Sequence, residues 1–367
     1  MSAWNESRNL LCVRLDYLGD VLMCTPALRA LKQSVPGRRI TLLGSGGGAA
    51  VAPHVPEIDE VITYAAPWMK HGGPHDIGID IAMVERLRER AFDGAVIFTT
   101  YSQSALPAAM LCYLAGIPLR IAHSRENPYR LLSDWIPETE PQQGIRHEVR
   151  RQLDLVAAIG GATADERMSF AVRQEDCAWA RRELAALGID DGQAWVMMHP
   201  GATAASRRYP PAHWAVAARR IADELEVPIV FSGDAGEEKL IDTIREECGA
   251  PTHSLAGRAT LGQLGALIRL ASVMVSNNTG PAHMAAAIGT PLVDLYAQTN
   301  LQHTPWRVES RVLYHEVPCR NCYKSVCPEG HHDCLAKVDP GRVVVAVREL
   351  LALPERPVVR LEVVAQT

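Results

Sequence analysis

Val273-Met274-Val275-Ser276-Asn277-Asn278-Thr279-Gly280-Pro281-Ala282-His283-Met284-Ala285-Ala286-Ala287-Ile288-Gly289-Thr290-Pro291-Leu292-Val293-Asp294-Leu295-Tyr296 reads as strand, polar turn, helix, glycine stop and strand. The apolar run before Ser276 is short and β-branched, as a buried parallel strand requires. Asn278-Thr279-Gly280 offers a polar turn and a capping side chain, and Pro281 stands where a first-turn proline is tolerated. His283 falls in the first helical turn. A helix N-terminus presents unpaired N–H groups and the positive end of the dipole, so this opening is expected to hold an anion, namely a nucleotide diphosphate.

The same alternation recurs on both sides. Strands are expected at Asn9–Leu15, Arg39–Leu43, Val61–Tyr64, Gly94–Thr99 and Arg120–Ala122. Helices are expected over 21–35, 83–91, 104–115 and 147–159. Residues 162–193 are polar, with a helix over 175–187, and read as a linker between domains. Strands at Trp195–Met198 and Pro228–Phe231 and helices over 213–225, 237–248 and 261–270 then lead into the quoted stretch. Residues 67–80 read as a surface loop, and Val358–Val364 as a strand in the tail. Alternating βα units predict α/β architecture with parallel sheets, and a chain of 367 residues predicts two domains. The expected divisions are 1–165, a linker 166–192, a second domain 193–353, and a tail 354–367.

The composition, 47% hydrophobic and 22% charged, is that of an ordinary globular protein. A net charge of −5 argues against a dedicated nucleic-acid partner. Met1 to Arg8 are polar and no apolar run is long enough for a signal peptide or a membrane span. A cytoplasmic protein is expected, attached to a membrane at most peripherally. Five of its nine cysteines are scattered. Cys319, Cys322, Cys327 and Cys334 follow the spacing C-x2-C-x4-C-x6-C and are candidate ligands for a structural zinc or iron, with free thiols or disulfides as the alternative. Gly44–Gly48 lacks the G-x-G-x-x-G spacing and is read as a plain turn.

Ligands of open parallel sheets bind beyond the carboxyl ends of strands. Four such loops stand out: Asp16–Asp20, Pro200–Arg208, Gly233–Glu238 and Asn277–His283. Arg14-Leu15-Asp16-Tyr17-Leu18-Gly19-Asp20-Val21-Leu22 with Thr25-Pro26-Ala27-Leu28 lies near the start. His199-Pro200-Gly201-Ala202, Leu255-Ala256-Gly257 and Asn278-Thr279-Gly280-Pro281-Ala282-His283 follow in order. In these motifs the chain resembles the family 9 glycosyltransferases, the group containing ADP-heptose:lipopolysaccharide heptosyltransferases. The resemblance implies the GT-B fold, two Rossmann-like domains with a cleft between them. It also implies an acceptor in the N-terminal half and a sugar nucleotide in the C-terminal half.

The expected activity is inverting transfer of heptose from ADP-heptose to a hydroxyl of a lipopolysaccharide-core or related glycan. The expected partners are that donor and a glycan or glycolipid acceptor, met at most peripherally at the cytoplasmic face of the inner membrane. A nucleotide-sugar epimerase or hydrolase of the same fold, or a non-catalytic nucleotide-sugar-binding protein, are the alternatives. Asp20 is the candidate base for the acceptor proton, with helix capping as its plainer role; Asp16 is a second candidate and a potential acceptor contact. Arg207, followed by Tyr209, is expected to meet the departing diphosphate. Thr279, Gly280 and His283 should meet the same phosphates, with Thr203, Gly233 and Asn278 completing the donor set. Asn278 stands where family members often carry Asp. Glu237 is a candidate for the ribose hydroxyls or, equally, an acidic first helical turn. Within the basic stretch 125–151, Arg125 and Arg146 are candidate contacts to an anionic acceptor, and a solvated face is the alternative. No cofactor is required for catalysis.

Overall fold

The computed structural model describes residues 3–70 and 75–352. The expected strand at Val358–Val364 lies outside them. The first half runs β1 (Asn9–Arg14), α1 (Leu18–Ser34), β2 (Arg39–Gly44), a short α2 (Gly46–Ala49), β3 (Glu60–Thr63), α3 (Ile77–Glu89), β4 (Gly94–Ile97), α4 (Leu106–Leu114), β5 (Leu119–Ser124), β6 (Asp134–Pro137) and α5 (Glu148–Ala157). After α6 (Gln174–Ala186) come β7 (Val196–His199), α7 (Pro211–Leu225), β8 (Ile229–Phe231), α8 (Glu238–Cys248), β9 (His253–Ser254), α9 (Leu261–Leu270), β10 (Val273–Asn277), α10 (Gly280–Ile288), β11 (Leu292–Leu295), β12 (Ser310–Leu313), α11 (Asp333–Ala336) and α12 (Pro340–Leu351).

Two six-stranded sheets result, ordered β3-β2-β1-β4-β5-β6 and β12-β11-β10-β7-β8-β9, and every strand pairing is parallel. Read from β9, the second sheet has the same connectivity as the first, the dinucleotide-fold order in which direction reverses once. The reversal falls between β1 and β4 in one sheet and between β7 and β10 in the other. Each reversal opens a crevice at the carboxyl ends of its two inner strands. The expected α/β class, with two parallel sheets, is what the chain adopts.

The central strands β1, β4 and β10 are apolar runs buried on both faces, as parallel strands are when helices cover both sides. One core is continuous through both halves: Leu22, Leu28 and Val96 from the first share it with Met274, Met284 and Leu292 from the second. The junction is made by α1 against α10, and by α6 against α9.

Several local expectations are corrected. The glycine run is no plain turn: Ser45 caps α2 by accepting the Gly48 N–H at 3.0 Å. The helix expected to begin at Met83 starts at Ile77, because Asp76 accepts the Gly78 N–H at 2.7 Å. Strands β6, β9 and β12 and helices α11 and α12 were not foreseen. The strands are short edge segments of two to four residues, too short for periodicity to register.

Candidate functional site

The opening of α1 and the opening of α10 face one another across the two halves. The approach is so close that a Cβ on Gly19 would stand 2.5 Å from His283 Cδ2, and one on Gly280 would stand 3.4 Å from Leu18 Cδ2. Glycine at position 19 is therefore what lets the His283 ring sit against the start of α1. Between these ends lie Asp20, His283 and His303, the two imidazoles 6.3 Å apart edge to face.

Asp20 occupies the third position of α1. Its Oδ2 accepts the Tyr17 backbone N–H at 3.2 Å, so the capping role is real. Its Oδ1 is occupied differently, accepting from Arg14 Nη2 at 3.1 Å. The side chain remains 18% exposed, so a ligand can reach it. Burial pushes the Asp20 carboxyl up, but Arg14, His303, His283 and the Tyr17 N–H outweigh it and hold it below the ordinary carboxylate range. Asp16, whose Oδ1 accepts from Gln103 Nε2 at 2.6 Å, is moved the other way: burial raises its pKa against the pull of Arg14. The pair divides into one firmly ionised carboxylate, Asp20, and one that gains a proton more readily, Asp16.

On the opposite side, β10 ends in two asparagines with structural duties. Asn277 Nδ2 donates to the Pro200 carbonyl at 2.7 Å, and its Oδ1 accepts the Tyr209 N–H at 3.1 Å, which ties the loop after β7 to β10. Asn278 Oδ1 accepts the Ala297 N–H at 3.3 Å. The N-cap of α10 is Thr279, and its hydroxyl makes no capping bond, contrary to the expected side-chain cap. Pro281 in the first turn contributes no N–H.

Arg207 ends a single helical turn in the loop after β7 and is half-buried. Among the described residues its guanidinium makes no hydrogen bond or ion pair, while its charge is felt by His283, His303 and Asp294. Asp294, at the end of β11, is fully buried, and burial pushes its carboxyl well above the carboxylate range despite Arg207. Tyr209 is buried and donates from its hydroxyl to the Val338 carbonyl at 2.7 Å, so it anchors the loop.

Glu237 reaches back over Gly201 and Gly233; a Cβ on Gly201 would stand 1.8 Å from its Oε1. Its Oε2 accepts the Asp234 N–H at 3.0 Å, which realises the helix-start role. Thr203 is exposed in the loop after β7.

The basic stretch is largely paired within the fold. Arg146 Nε donates to Glu140 Oε1 at 2.6 Å and Nη1 to Asp154 Oδ2 at 2.9 Å. Arg151 is buried against Glu138. Arg125 donates to the carbonyls of Tyr101 and Glu140. Arg146 and Arg151 are thus tied into the fold, while Arg125 and Arg130 are exposed. Arg125 also lines a cavity of about 180 Å³ with Gln103, His123, Ser124 and Glu138, beyond the ends of β4 and β5.

The four clustered cysteines are free, half-buried thiols. Cys319 Sγ lies 3.7 Å from His331 Nε2, and burial together with the other three thiols raises the pKa of Cys334. Among the described residues no three His, Cys, Asp or Glu side chains are arranged to hold a metal ion. The expected structural zinc or iron is therefore unsupported: the thiols are near one another, but the loop does not converge them on one point.

Sequence reasoning missed Arg14, Glu148 and His303. Arg14 carried a signal, being a charged residue closing an apolar strand. Glu148 carried none and His303 only its place near the cysteine cluster, since their neighbours come from distant segments.

The sequence profile of glycosyltransferase family 9 (heptosyltransferase) matches residues 81–332. The chain belongs to that family. It is a glycosyltransferase with the GT-B fold. Lipopolysaccharide heptosyltransferase 2 of Escherichia coli (strain K12) is 26% identical, over 94% of this chain and 99% of its own length. The crystal structure of the family 9 glycosyl transferase from Veillonella parvula DSM 2008 superposes with a TM-score of 0.79 at 20% identity, covering 94% of this chain and 97% of that one. E. coli ADP-heptose lps heptosyltransferase II superposes at 0.72 and 23% identity, over 94% and 98%. No helix among the described residues is long and apolar enough to cross a membrane.

The buried histidines of this family 9 chain are expected to weaken it in acid. Burial lowers His199 and His123 to about 4 and His283 to about 3. A histidine ordinarily titrates near pH 6.5, so between about 6.5 and 4 the unfolded chain binds more protons than the folded one. Stability is lost as pH falls through that window, at about 1.4 kcal/mol per pH unit for each such histidine. Melting temperature is expected to fall steeply between pH 6.5 and 4. A flat melting profile down to pH 5 would overturn this reading of the three rings.

Proposed function

We propose that the protein is an inverting heptosyltransferase that moves heptose from ADP-heptose to a hydroxyl of a lipopolysaccharide-core or related glycan. The observation that carries the reading is the meeting of α1 and α10, which sets a reachable Asp20 beside His283, with Arg207, unpaired among the described residues, near that histidine. Residues 1–165 would hold the acceptor, 193–353 the nucleotide sugar, and 166–192 would link them. In the reaction the acceptor O–H loses its proton to the Asp20 carboxylate as its oxygen attacks the anomeric carbon. The bond from that carbon to the phosphate oxygen breaks on the far side, and ADP departs with the bonding pair. Arg207 and the N–H groups at the start of α10 meet the growing phosphate charge. Thr279, Gly280 and His283 line that end, with Thr203, Gly233 and Glu237 toward the nucleoside. Asp16, Arg125 and Arg146 lie on the acceptor side. The donor sugar is supported by relatives whose names specify heptose transfer. Asn278 is tied to the Ala297 N–H, so it supports the loop after β11 beside the donor site. No metal enters the scheme, because a cation and a helix terminus cover the phosphates.

A thermal-shift comparison of ADP, UDP, GDP and dTDP tests the donor class. Ligand at a hundred times its dissociation constant stabilises the folded state by about 2.7 kcal/mol. ADP is expected to raise the melting temperature well above the other three. Equal shifts, or a larger one with UDP, overturn the ADP assignment. Conversion of ADP-heptose with no acceptor present would favour an epimerase or hydrolase instead.

A further inference from the structure

Arg14, at the carboxyl end of β1, has no exposed surface, and its guanidinium meets a carboxylate on each nitrogen. Nε lies 2.9 Å from Asp16 Oδ2, Nη2 donates to Asp20 Oδ1 at 3.1 Å, and Nη1 donates to Glu148 Oε1 at 2.8 Å. Glu148 opens α5 and is itself fully buried. Its Oε1 also accepts from Gln152 Nε2 at 2.7 Å. Its backbone N–H donates to the Gln302 carbonyl at 2.9 Å, in the loop that follows β11 in the other half. Beside it, His147 Nε2 lies 2.8 Å from the Thr304 carbonyl, and the His147 ring packs 4.4 Å from Trp306. One residue therefore touches both the arginine that orients Asp20 and the loop that docks from the second half.

Buried ion pairs seldom repay their desolvation, and apolar residues of like volume often serve stability as well or better. Three carboxylates around one arginine are a poor way to hold a fold together and a good way to fix one side chain. We propose that Glu148, acting through Arg14, is a positioning residue for Asp20, and that it ties the placement of that carboxylate to docking of the 298–304 loop. The proposal rests on the reading of Asp20 as the base. With Oδ1 held by Arg14 and Oδ2 by the Tyr17 N–H, the carboxylate has a single orientation and one free lone-pair direction on each oxygen for an acceptor hydroxyl. Without Glu148 the guanidinium keeps two of its three anchors, and the base loses its aim. The titratable and charged groups that face Asp20 are Arg14 from β1, Asp16 and Tyr17 from the loop before α1, Cys24 from α1 itself, His283 from α10 and His303 from the loop after β11, with Glu148 of α5 reaching it only through Arg14.

Glu148→Gln and Arg14→Met in the full chain test this. Glu148→Gln keeps the shape and removes the charge. It is expected to lower kcat about ten- to hundredfold through misplacement of the base, with donor KM and the ADP thermal shift at wild-type values. Arg14→Met removes the cation that lowers the Asp20 pKa, so the acid limb of kcat/KM is expected to move to higher pH. Should Arg14→Met fail to fold, the kcat-against-KM split of Glu148→Gln decides alone. Wild-type kcat in Glu148→Gln overturns the proposal, as does a loss matched by falls in melting temperature and ADP response, which would mark a structural role. Asp20→Asn is the parallel control. Retained transfer there overturns the underlying reading, whereas an inactive Asp20→Asn beside a fully active Glu148→Gln overturns this inference alone.

Discussion

Asp20→Asn is expected to abolish most transfer, lowering kcat by roughly 10²–10⁴-fold, the range a positioned general base supplies. The amide preserves the size of the side chain, and one oxygen can still accept from Arg14 or from the Tyr17 N–H. What it lacks is a site for the acceptor proton. ADP should still raise the melting temperature of the variant, because the residues proposed to meet the nucleotide lie on β7, β8 and β10 and their loops. A kinetic assay with ADP-heptose and a lipopolysaccharide-core acceptor checks the first part, and a melt with ADP the second. Transfer near the wild-type rate would falsify the assignment of Asp20 as base and turn attention to Asp16, whose pKa burial raises.

Arg207→Gln is expected to cost about 10²–10³-fold in kcat, the effect of removing one preorganised stabiliser of developing charge. Among the described residues this guanidinium makes no hydrogen bond or ion pair, so the fold there does not depend on it. Removing it should therefore leave the melting temperature of the ligand-free protein almost unchanged. Arg207→Lys should recover part of the loss, since it restores charge without the two-pronged geometry that matches a phosphate. A glutamine variant with undiminished kcat, or one that melts many degrees lower without ligand, would show that Arg207 serves the loop and not the leaving group.

Much of this site was legible along the chain because its parts sit at strand ends. A short apolar strand, a polar turn and a helix start make the loops of Asp20, Gly201, Gly233 and Thr279 recognisable from local pattern alone. The two roles offered for Asp20 and for Glu237 could not be separated that way. In the structure Asp20 caps α1 through one oxygen and meets Arg14 through the other, while Glu237 is seen capping the turn before α8. Arg146 looked free in a basic stretch because its partners Glu140 and Asp154 are six and eight residues away, outside the helical spacings that signal a pair. The cysteine cluster had metal-like spacing, but ligand spacing says nothing of whether four sulfurs converge.

The sequence by itself determined the alternation of elements, hence the parallel sheets and the strand-end loops, because hydrophobic period and capping chemistry are properties of neighbouring residues. Only the tertiary structure decided what those loops meet. The approach of His283 to Gly19 and the contacts of Arg14 with Asp20 and Glu148 join residues separated by up to hundreds of positions. They exist because one core packs α1 of the first half against α10 of the second. Burial and field at that junction, which no local pattern encodes, move two nearby carboxylates in opposite directions, Asp20 down and Asp16 up.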